Sequence, residues 1–300
     1  MTTLANAPFD AHFHLGAWGE RLVGDDRVEP IGARTHSHDG IVGYRYGVEH
    51  DTVAALRGYL EQAGFSGGVV MPNYIPQDPA YSLGTLNDLA VHAAEEIPGL
   101  RAAVFSSPLD GEWEHAERAL ERHAGNPSVR AIKFTSNRWA PASLDPATWT
   151  GELRDRMEKA IEIAMRESLV LHFHSGPPNC MPHQFDGLVR EYGKDVDIQL
   201  VHAGENVDGA LQLVPYFARW VDEGYRVWCD TSLTPGFLIP WMAREAEERG
   251  VDILSRVMFA TDAPWGNPWA EAAKIRDAAI DAADVERILS GNARSLYGVD

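Results

Sequence analysis

The chain has 300 residues, 45% of them hydrophobic and 23% charged, which is ample for a large core and excludes a disordered polyelectrolyte. A formal net charge of −18 without any basic stripe argues against a nucleic-acid partner, which needs clustered lysine and arginine to meet phosphates. Two cysteines, Cys180 and Cys229, cannot build a disulfide scaffold and suit a reducing cytoplasm, while the absence of a basic-then-apolar leader or of a run near the roughly 18 apolar residues of a spanning helix leaves no expected secretory signal or membrane partner.

In chain order, the pattern alternates short apolar runs with amphipathic stretches. A strand is predicted over Pro8–His14, then a long non-regular segment over Leu15–His50. A helix over Asp51–Ala63 places Val53, Leu56 and Leu60 on one face. The strand Gly67–Met71 and helix Leu86–Glu96 follow, then strand Leu100–Ser106 and helix Glu112–His123. Next come strand Val129–Thr135 and helix Gly151–Arg166, whose Leu153, Met157, Ile161 and Ala164 share a face. Strand Ser168–His174 is followed by a faint helical pattern over Gln184–Tyr192, strand Asp197–His202 and helix Val207–Val221. Strand Tyr225–Asp230, helix Gly236–Arg249, strand Arg256–Ala260 and helical stretches Pro268–Ala279 and Ala283–Leu289 complete the chain. About eight strands alternating with about eight helices predict an α/β fold of the (β/α)₈ TIM-barrel type, with residues 1–300 as one domain. An open doubly wound sheet would more often carry a glycine-rich turn after its first strand, and this chain has none.

The strand ends carry the chemistry, because in a barrel their C-terminal ends meet on one face. The first strand ends in His12-Phe13-His14, the fourth contains Lys133, the fifth ends in His172-Phe173-His174, the sixth in His202, and the eighth runs into Asp262. Alternation along a strand points His12 and His14 the same way, so both imidazoles can reach one divalent metal. His174 and Asp262 can complete a set of three nitrogens and one oxygen, donors that suit Zn²⁺ and also Mn²⁺ or Fe²⁺. With 12 histidines in the chain the H-x-H spacing settles little by itself; it recurs at His36/His38, which read as exposed loop residues. His172, two residues deeper than His174, reads as packed or as supporting the ligands from behind. Lys133 reads equally as half of a buried ion pair and as a catalytic group. Trp139, Trp265 and Trp269 are candidates to line a pocket.

The segments FDAHFHLG, AIKFTSN, LVLHFHSG, LVHAG, FATDAPWG and ILSGNARSLYGV resemble, in order, the amidohydrolase-related (amidohydrolase-2) family of the amidohydrolase superfamily, from about Phe9 to Val299. The resemblance implies a distorted (β/α)₈ barrel and a metal-dependent enzyme. It implies His12, His14, His174 and Asp262 as metal ligands and His202 as the residue acting on substrate or water. Lys133 resembles the carboxylated lysine that bridges two metals in some members, where His174 and His202 would hold the second; one metal, Zn²⁺ ahead of Mn²⁺ or Fe²⁺, is the expectation here. The expected activity is hydrolysis of an amide or lactone of a small molecule, with Asp262 taking the proton of a metal-activated water and His202 steadying the oxyanion. The alternative is non-oxidative decarboxylation of an aromatic or related acid, with Arg34, Arg45 or Arg138 gripping the carboxylate and Trp265 beside the substrate. A non-catalytic barrel with a structural metal, or none, is the alternative of another class; closed structural zinc sites usually use cysteine, and Cys180 and Cys229 are not at the ligand positions. Family analogy adds a homodimer, and the loops Leu15–His50, Asn73–Leu86, Ser136–Thr150 and Ser175–Gln184 would hold the substrate specificity.

Overall fold

Apolar runs bounded by turn residues become strands, and the amphipathic stretches between them become helices that cover the sheet. The structure, a computed structural model, describes residues 7–15, 20–23, 27–30, 53–72, 81–136, 144–177 and 179–299. β1 (Phe9–Leu15) is followed by an antiparallel hairpin of β2 (Glu20–Val23) and β3 (Arg27–Pro30). This corrects the expectation of a wholly non-regular segment over Leu15–His50; the two runs flank Gly24-Asp25-Asp26, a turn-prone sequence that was legible as a hairpin signal. The barrel strands continue with β4 (Gly67–Pro72), β5 (Leu100–Ser106), β6 (Val129–Phe134), β7 (Val170–His174), β8 (Ile198–Val201), β9 (Val227–Asp230) and β10 (Val257–Met258).

From β1 through β4 to β10 each strand pairs in parallel with the next, giving an eight-stranded sheet. The last gap is bridged by backbone hydrogen bonds between β1 and the segment after β10: Ala11 N–H to Phe259 O at 3.0 Å, Asp262 N–H to His12 O at 2.8 Å, and His14 N–H to Ala263 O at 2.7 Å. The fold is a nearly closed (β/α)₈ barrel. Its outer layer is built from α1 (Val53–Ala63), α2 (Leu86–Glu96), α3 (Trp113–His123), α4 (Gly151–Glu167), α5 (Asp186–Tyr192), α6 (Val207–Asp222), α7 (Leu238–Arg249), α8 (Pro268–Arg276), α9 (Ala282–Glu286) and α10 (Asn292–Tyr297). Local chemistry sets the helix starts. The Asn267 side chain accepts from Trp269 N–H and Ala270 N–H at 3.1 Å each, with Pro268 in the first turn, and Asn206 caps α6 through Gly209 N–H.

Two apolar layers result. One lies between strands and helices and includes Phe13, Leu15, Ile132, Phe134, Phe173 and Phe217. The other fills the barrel interior with Phe9, Ala11, Val69, Ala131, Trp228 and Met258, closed from below by Tyr297 of α10. β1 contributes to both in an order that strict alternation does not allow. Phe9 and Ala11 belong to the interior, yet Phe13 and Leu15 belong to the outer layer. The register supplies the reason: Asp10 pairs with Gly68 and Phe13 with Val70, so three steps along β1 match two along β4. This β-bulge turns Ala11 and His12 to the same side and brings His14 to that side as well.

Asp10 therefore points outward while the histidines point inward. It is fully buried, and its carboxylate accepts from His12 N–H at 3.3 Å, Thr261 N–H at 2.9 Å, Thr261 Oγ1–H at 2.5 Å and Tyr59 Oη–H of α1 at 2.8 Å. Burial pushes its pKa up to about 7, against these hydrogen bonds, which favour the carboxylate. Gly68 makes room: a Cβ there would lie 2.5 Å from the Asp10 carbonyl oxygen and 2.8 Å from the Phe13 ring. An Asp10→Asn substitution places an amide NH₂ against donors. It is expected to destabilise the protein by about 1–3 kcal/mol, read as a lower urea midpoint at unchanged slope. A midpoint equal to that of the wild type would show that the bulge does not depend on this carboxylate.

Candidate metal centre

The bulge delivers His12 and His14 to the barrel mouth, and the backbone after β10 delivers Asp262 beside them. His12 Nε2 lies 3.1 Å from His14 Nε2 and 3.3 Å from Asp262 Oδ1, and His14 Nε2 lies 3.0 Å from the same oxygen. Donors about 2.0–2.2 Å from a shared ion lie about 3.3–3.6 Å apart in a tetrahedron and about 2.8–3.1 Å apart in an octahedron. The three edges fall across that range. The tautomers point the same way. His14 Nδ1 sits 3.1 Å from the Pro72 carbonyl oxygen, which only accepts, so Nδ1 carries the proton and Nε2 offers a lone pair. His12 Nδ1 is buried without a hydrogen-bond partner and stands 3.6 Å from Asp230 Oδ2. With the His12 proton on Nδ1, the side that faces the Asp230 carboxylate, two lone-pair nitrogens and a carboxylate oxygen face one point, an arrangement of acceptors that a cation satisfies.

Burial first, and then the nearby Lys133 charge, hold the His12 imidazole well below its ordinary pKa and that of His174 at about 3. His202 is lowered by burial and then by its neighbours His174 and Lys133. These rings are neutral at pH 7, the form in which imidazole ligates. Burial lowers Lys133 to about 8, partly opposed by Asp262 and Asp230.

The remaining predicted residues take different places. His174 ends β7 as expected, but it falls outside the tight groups. Among the described residues, the ligand atoms within 4.8 Å of one another are those of His12, His14 and Asp262 and those of His12, His202 and Asp230. The His174 ring centroid is 4.9 Å from that of His202, and its Nε2 is 3.9 Å from Glu205 Oε2. β8 stops at Val201, one residue short of the predicted end, so His202 opens a tight turn at φ 69°. Glycine makes that turn feasible: a Cβ on Gly204 would lie 2.4 Å from the Gly209 carbonyl carbon in α6. His172 lies deeper and bonds Tyr297 Oη at 2.5 Å. Lys133, on β6, pairs with His172 across the sheet. Trp265 is half-buried and its backbone N–H donates to the Asp262 carbonyl oxygen at 2.8 Å. Arg34, Arg45, Arg138, Trp139, His36 and His38 lie outside the described residues.

Two residues join the candidates only in the structure. Asp230 is fully buried, with Oδ1 accepting from His202 N–H at 3.1 Å, Ser232 N–H at 3.1 Å and Ser232 Oγ–H at 2.5 Å. It is the last residue of a predicted strand, so the strand-end rule that selects Asp262 could have found it. Glu205, at φ 64°, had no such signal, because a turn of irregular backbone brings it to His174. With Ala203 at 41° and Asp262 at 54°, positive-φ residues gather around this centre. Such conformations cost on the order of 1–3 kcal/mol each and concentrate at functional sites.

The family profile for amidohydrolases matches residues 9–299. The chain belongs to that amidohydrolase family. Among solved structures, the chain is similar to 2,6-dihydroxybenzoate decarboxylase from Rhizobium (TM-score 0.65, 14% identity, over 98% of this chain and 99% of that one). It is also similar to dihydroxybenzoic acid decarboxylase from Polaromonas sp. JS666, solved with bound manganese and the inhibitor 2-nitroresorcinol (TM-score 0.63, 14% identity, 98% and 97%). A third likeness is to 5-carboxyvanillate decarboxylase from Sphingomonas paucimobilis (TM-score 0.56, 17% identity, 91% and 88%). No curated protein matches the chain in sequence. No helix among its described residues is long and apolar enough to cross a membrane.

Equilibrated with Mn²⁺ or Zn²⁺ and then gel-filtered, the wild type is expected to retain about one ion per chain. His14→Ala is expected to bind at least about tenfold more weakly, as loss of one inner donor requires. Equal metal retention by His14→Ala and wild type, measured by plasma emission, would refute the convergence on this point.

Proposed function

We propose that the chain is a metal-dependent decarboxylase of a small aromatic carboxylic acid bearing a ring hydroxyl. The observation that carries the reading is the meeting of three acceptor atoms, 3.0–3.3 Å apart, at the mouth of a barrel that matches dihydroxybenzoate decarboxylases over nearly their full length. His12, His14 and Asp262 would hold a divalent ion, with His174 completing the set from β7; Mn²⁺ and Zn²⁺ both suit these donors. When bound, the ion supplies charge that anchors the substrate's oxygen atoms and stabilises negative charge developing on them.

The chain's own residues supply the rest. Lys133, held charged beside Asp262 and Asp230, adds a fixed positive field that favours an anionic acid. His202 Nδ1 lies 2.9 Å from Ser232 Oγ, whose own proton goes to Asp230, so His202 donates there and keeps its Nε2 lone pair to accept from a substrate hydroxyl. Asp262 Oδ1 faces the two imidazoles, and Oδ2 is the oxygen left to relay a proton to the substrate. That proton passes to the ring carbon bearing the carboxylate. The bond from ring to carboxylate then breaks, its electron pair returns to the ring, and carbon dioxide departs; Asp262 regains a proton from solvent. Trp265, adjacent to Asp262 in the turn, is placed to flank an aromatic substrate.

With Mn²⁺ present, 2,6-dihydroxybenzoate and related hydroxybenzoates are expected to release carbon dioxide. Chelation should abolish the release and readded metal restore it, and Asp262→Asn should lower kcat about 10²–10⁴-fold with the fold retained. Cleavage of amides or lactones without carbon dioxide from any aromatic acid would overturn decarboxylation in favour of hydrolysis. Activity indifferent to chelation would remove the metal from the reaction.

A further inference from the structure

A buried polar chain runs up the barrel axis from its floor to the metal centre. α10 closes the bottom of the barrel and inserts Tyr297, 1% exposed, with its ring stacked on Phe9 at 6.4 Å between centroids. The Tyr297 hydroxyl bonds His172 Nε2 at 2.5 Å and also Gln199 Oε1. Gln199 Nε2 donates to Asp230 Oδ2 at 2.8 Å. His172, Gln199 and Asp230 are each fully buried.

Hydrogen-bond chemistry fixes the direction of every link. Asp230 takes donors on both oxygens, so Gln199 must present its NH₂ upward and its carbonyl oxygen downward. That oxygen can only accept, so Tyr297 spends its one proton on it. The Tyr297 oxygen is then an acceptor, and His172 meets it with Nε2–H. The consequence is visible: His172 Nδ1 is buried without a partner, which a lone pair tolerates better than an N–H would. At the upper end, Asp230 Oδ1 holds the His202 backbone and, through Ser232, the His202 ring, while Asp230 Oδ2 lies 3.6 Å from His12 Nδ1. One carboxylate thus faces the outer nitrogen of a metal-facing imidazole and fixes the tautomer of a second imidazole.

We propose that Tyr297 is a positioning residue for the metal centre, acting from the barrel floor through Gln199 and Asp230. Without the hydroxyl, the Gln199 carbonyl oxygen and the His172 Nε2–H are both left buried without a partner. Gln199 must then shift in search of a donor, which loosens its hold on Asp230 Oδ2 and with it the carboxylate that holds the His202 backbone and faces His12. The hydroxyl does this from within the closing helix, remote from any substrate. The inference rests on the metal reading above.

The test compares three proteins by Mn²⁺ titration against a competing chelator. Tyr297→Phe keeps the ring and its packing and removes only the hydroxyl; its metal affinity is expected to fall about tenfold, the lower end of what supporting residues cost. Leu296→Ala weakens the packing of the same helix against the barrel floor while leaving the hydroxyl in place, and its affinity is expected to stay within about twofold of wild type. Equal affinity in Tyr297→Phe and wild type overturns the proposal, as does an equal loss in Leu296→Ala, which would mark the effect as general loosening. A wild type that takes up no metal removes the earlier reading and this one with it, whereas a wild type that binds separates the two. A second measurement needs no variant: in the metal-free wild type, nitrogen-15 spectra of the histidine rings are expected to show His172 protonated at Nε2 and His202 at Nδ1. His172 protonated at Nδ1 instead would reverse the chain and overturn the proposal.

Discussion

One extra residue in the first strand sets the geometry on which the centre depends. Without the bulge between Asp10 and Phe13, side chains would continue to alternate from Phe9 and Ala11 inside the barrel. Phe13 and Leu15 would then enter the interior, and both histidines would face the helices. The bulge reverses the phase at the place where apolar interior gives way to polar mouth. It is held by the Asp10 carboxylate, which ties His12 N–H, the Thr261 backbone and hydroxyl, and Tyr59 of α1 into one node. Because Thr261 directly precedes Asp262, the same node fixes the first strand relative to the carboxylate that meets it. A candidate metal centre assembled from both ends of the chain is thereby referenced to a single buried group.

This node also explains which parts of the centre the sequence could and could not disclose. The eight barrel strands are legible because each is an apolar run between turn residues, and their observed ends differ from the predicted ones by a few residues at most. The stretch Phe9–Leu15 alternates without a break in sequence, apolar at Phe9, Ala11, Phe13 and Leu15. Simple alternation puts Asp10 on the face of His12 and His14, and the structure puts it on the opposite one. A bulge is a matter of register against a neighbouring strand, and Gly68, the residue that makes room for it, lies in another strand altogether. The shared orientation of His12 and His14 was read correctly because their spacing of two lies wholly beyond the extra residue. The meeting of both rings with Asp262 depends on barrel closure, which periodicity alone does not carry. Glu205 was hidden for a related reason, since it reaches His174 through positive-φ backbone rather than through any strand or helix period.

The pKa pattern around the centre follows from the same burial. An isolated buried imidazole loses its proton because the charged form is poorly solvated, and Lys133 adds repulsion to that effect. The lysine is itself pushed down by burial, to about 8, and the carboxylates of Asp262 and Asp230 work against the shift. Cation, carboxylates and neutral rings are therefore mutually dependent. Removing Lys133 would relieve the pressure that keeps the imidazoles neutral, and removing either aspartate would leave a buried ammonium less well compensated.

The rings still have to present the correct nitrogen, and His14 and His202 are each committed by a hydrogen bond to a different neighbour. His14 gives its Nδ1 proton to the Pro72 carbonyl at the end of β4. His202 gives its own to Ser232, which passes the interaction to Asp230. His12 directs Nδ1 toward Asp230. In each case the outward nitrogen engages or faces a group fixed on a neighbouring strand or the turn that follows it. The inward nitrogen is thereby left as a lone pair directed at the barrel mouth. The partners of these outward nitrogens come from the ends of β4 and β9 and the turn after β9, so the orientation of the centre is a property of the closed barrel rather than of any one loop. This is the arrangement that holds a small set of acceptors in place before a cation or substrate arrives, and its strain and desolvation costs are carried by the packed interior beneath it.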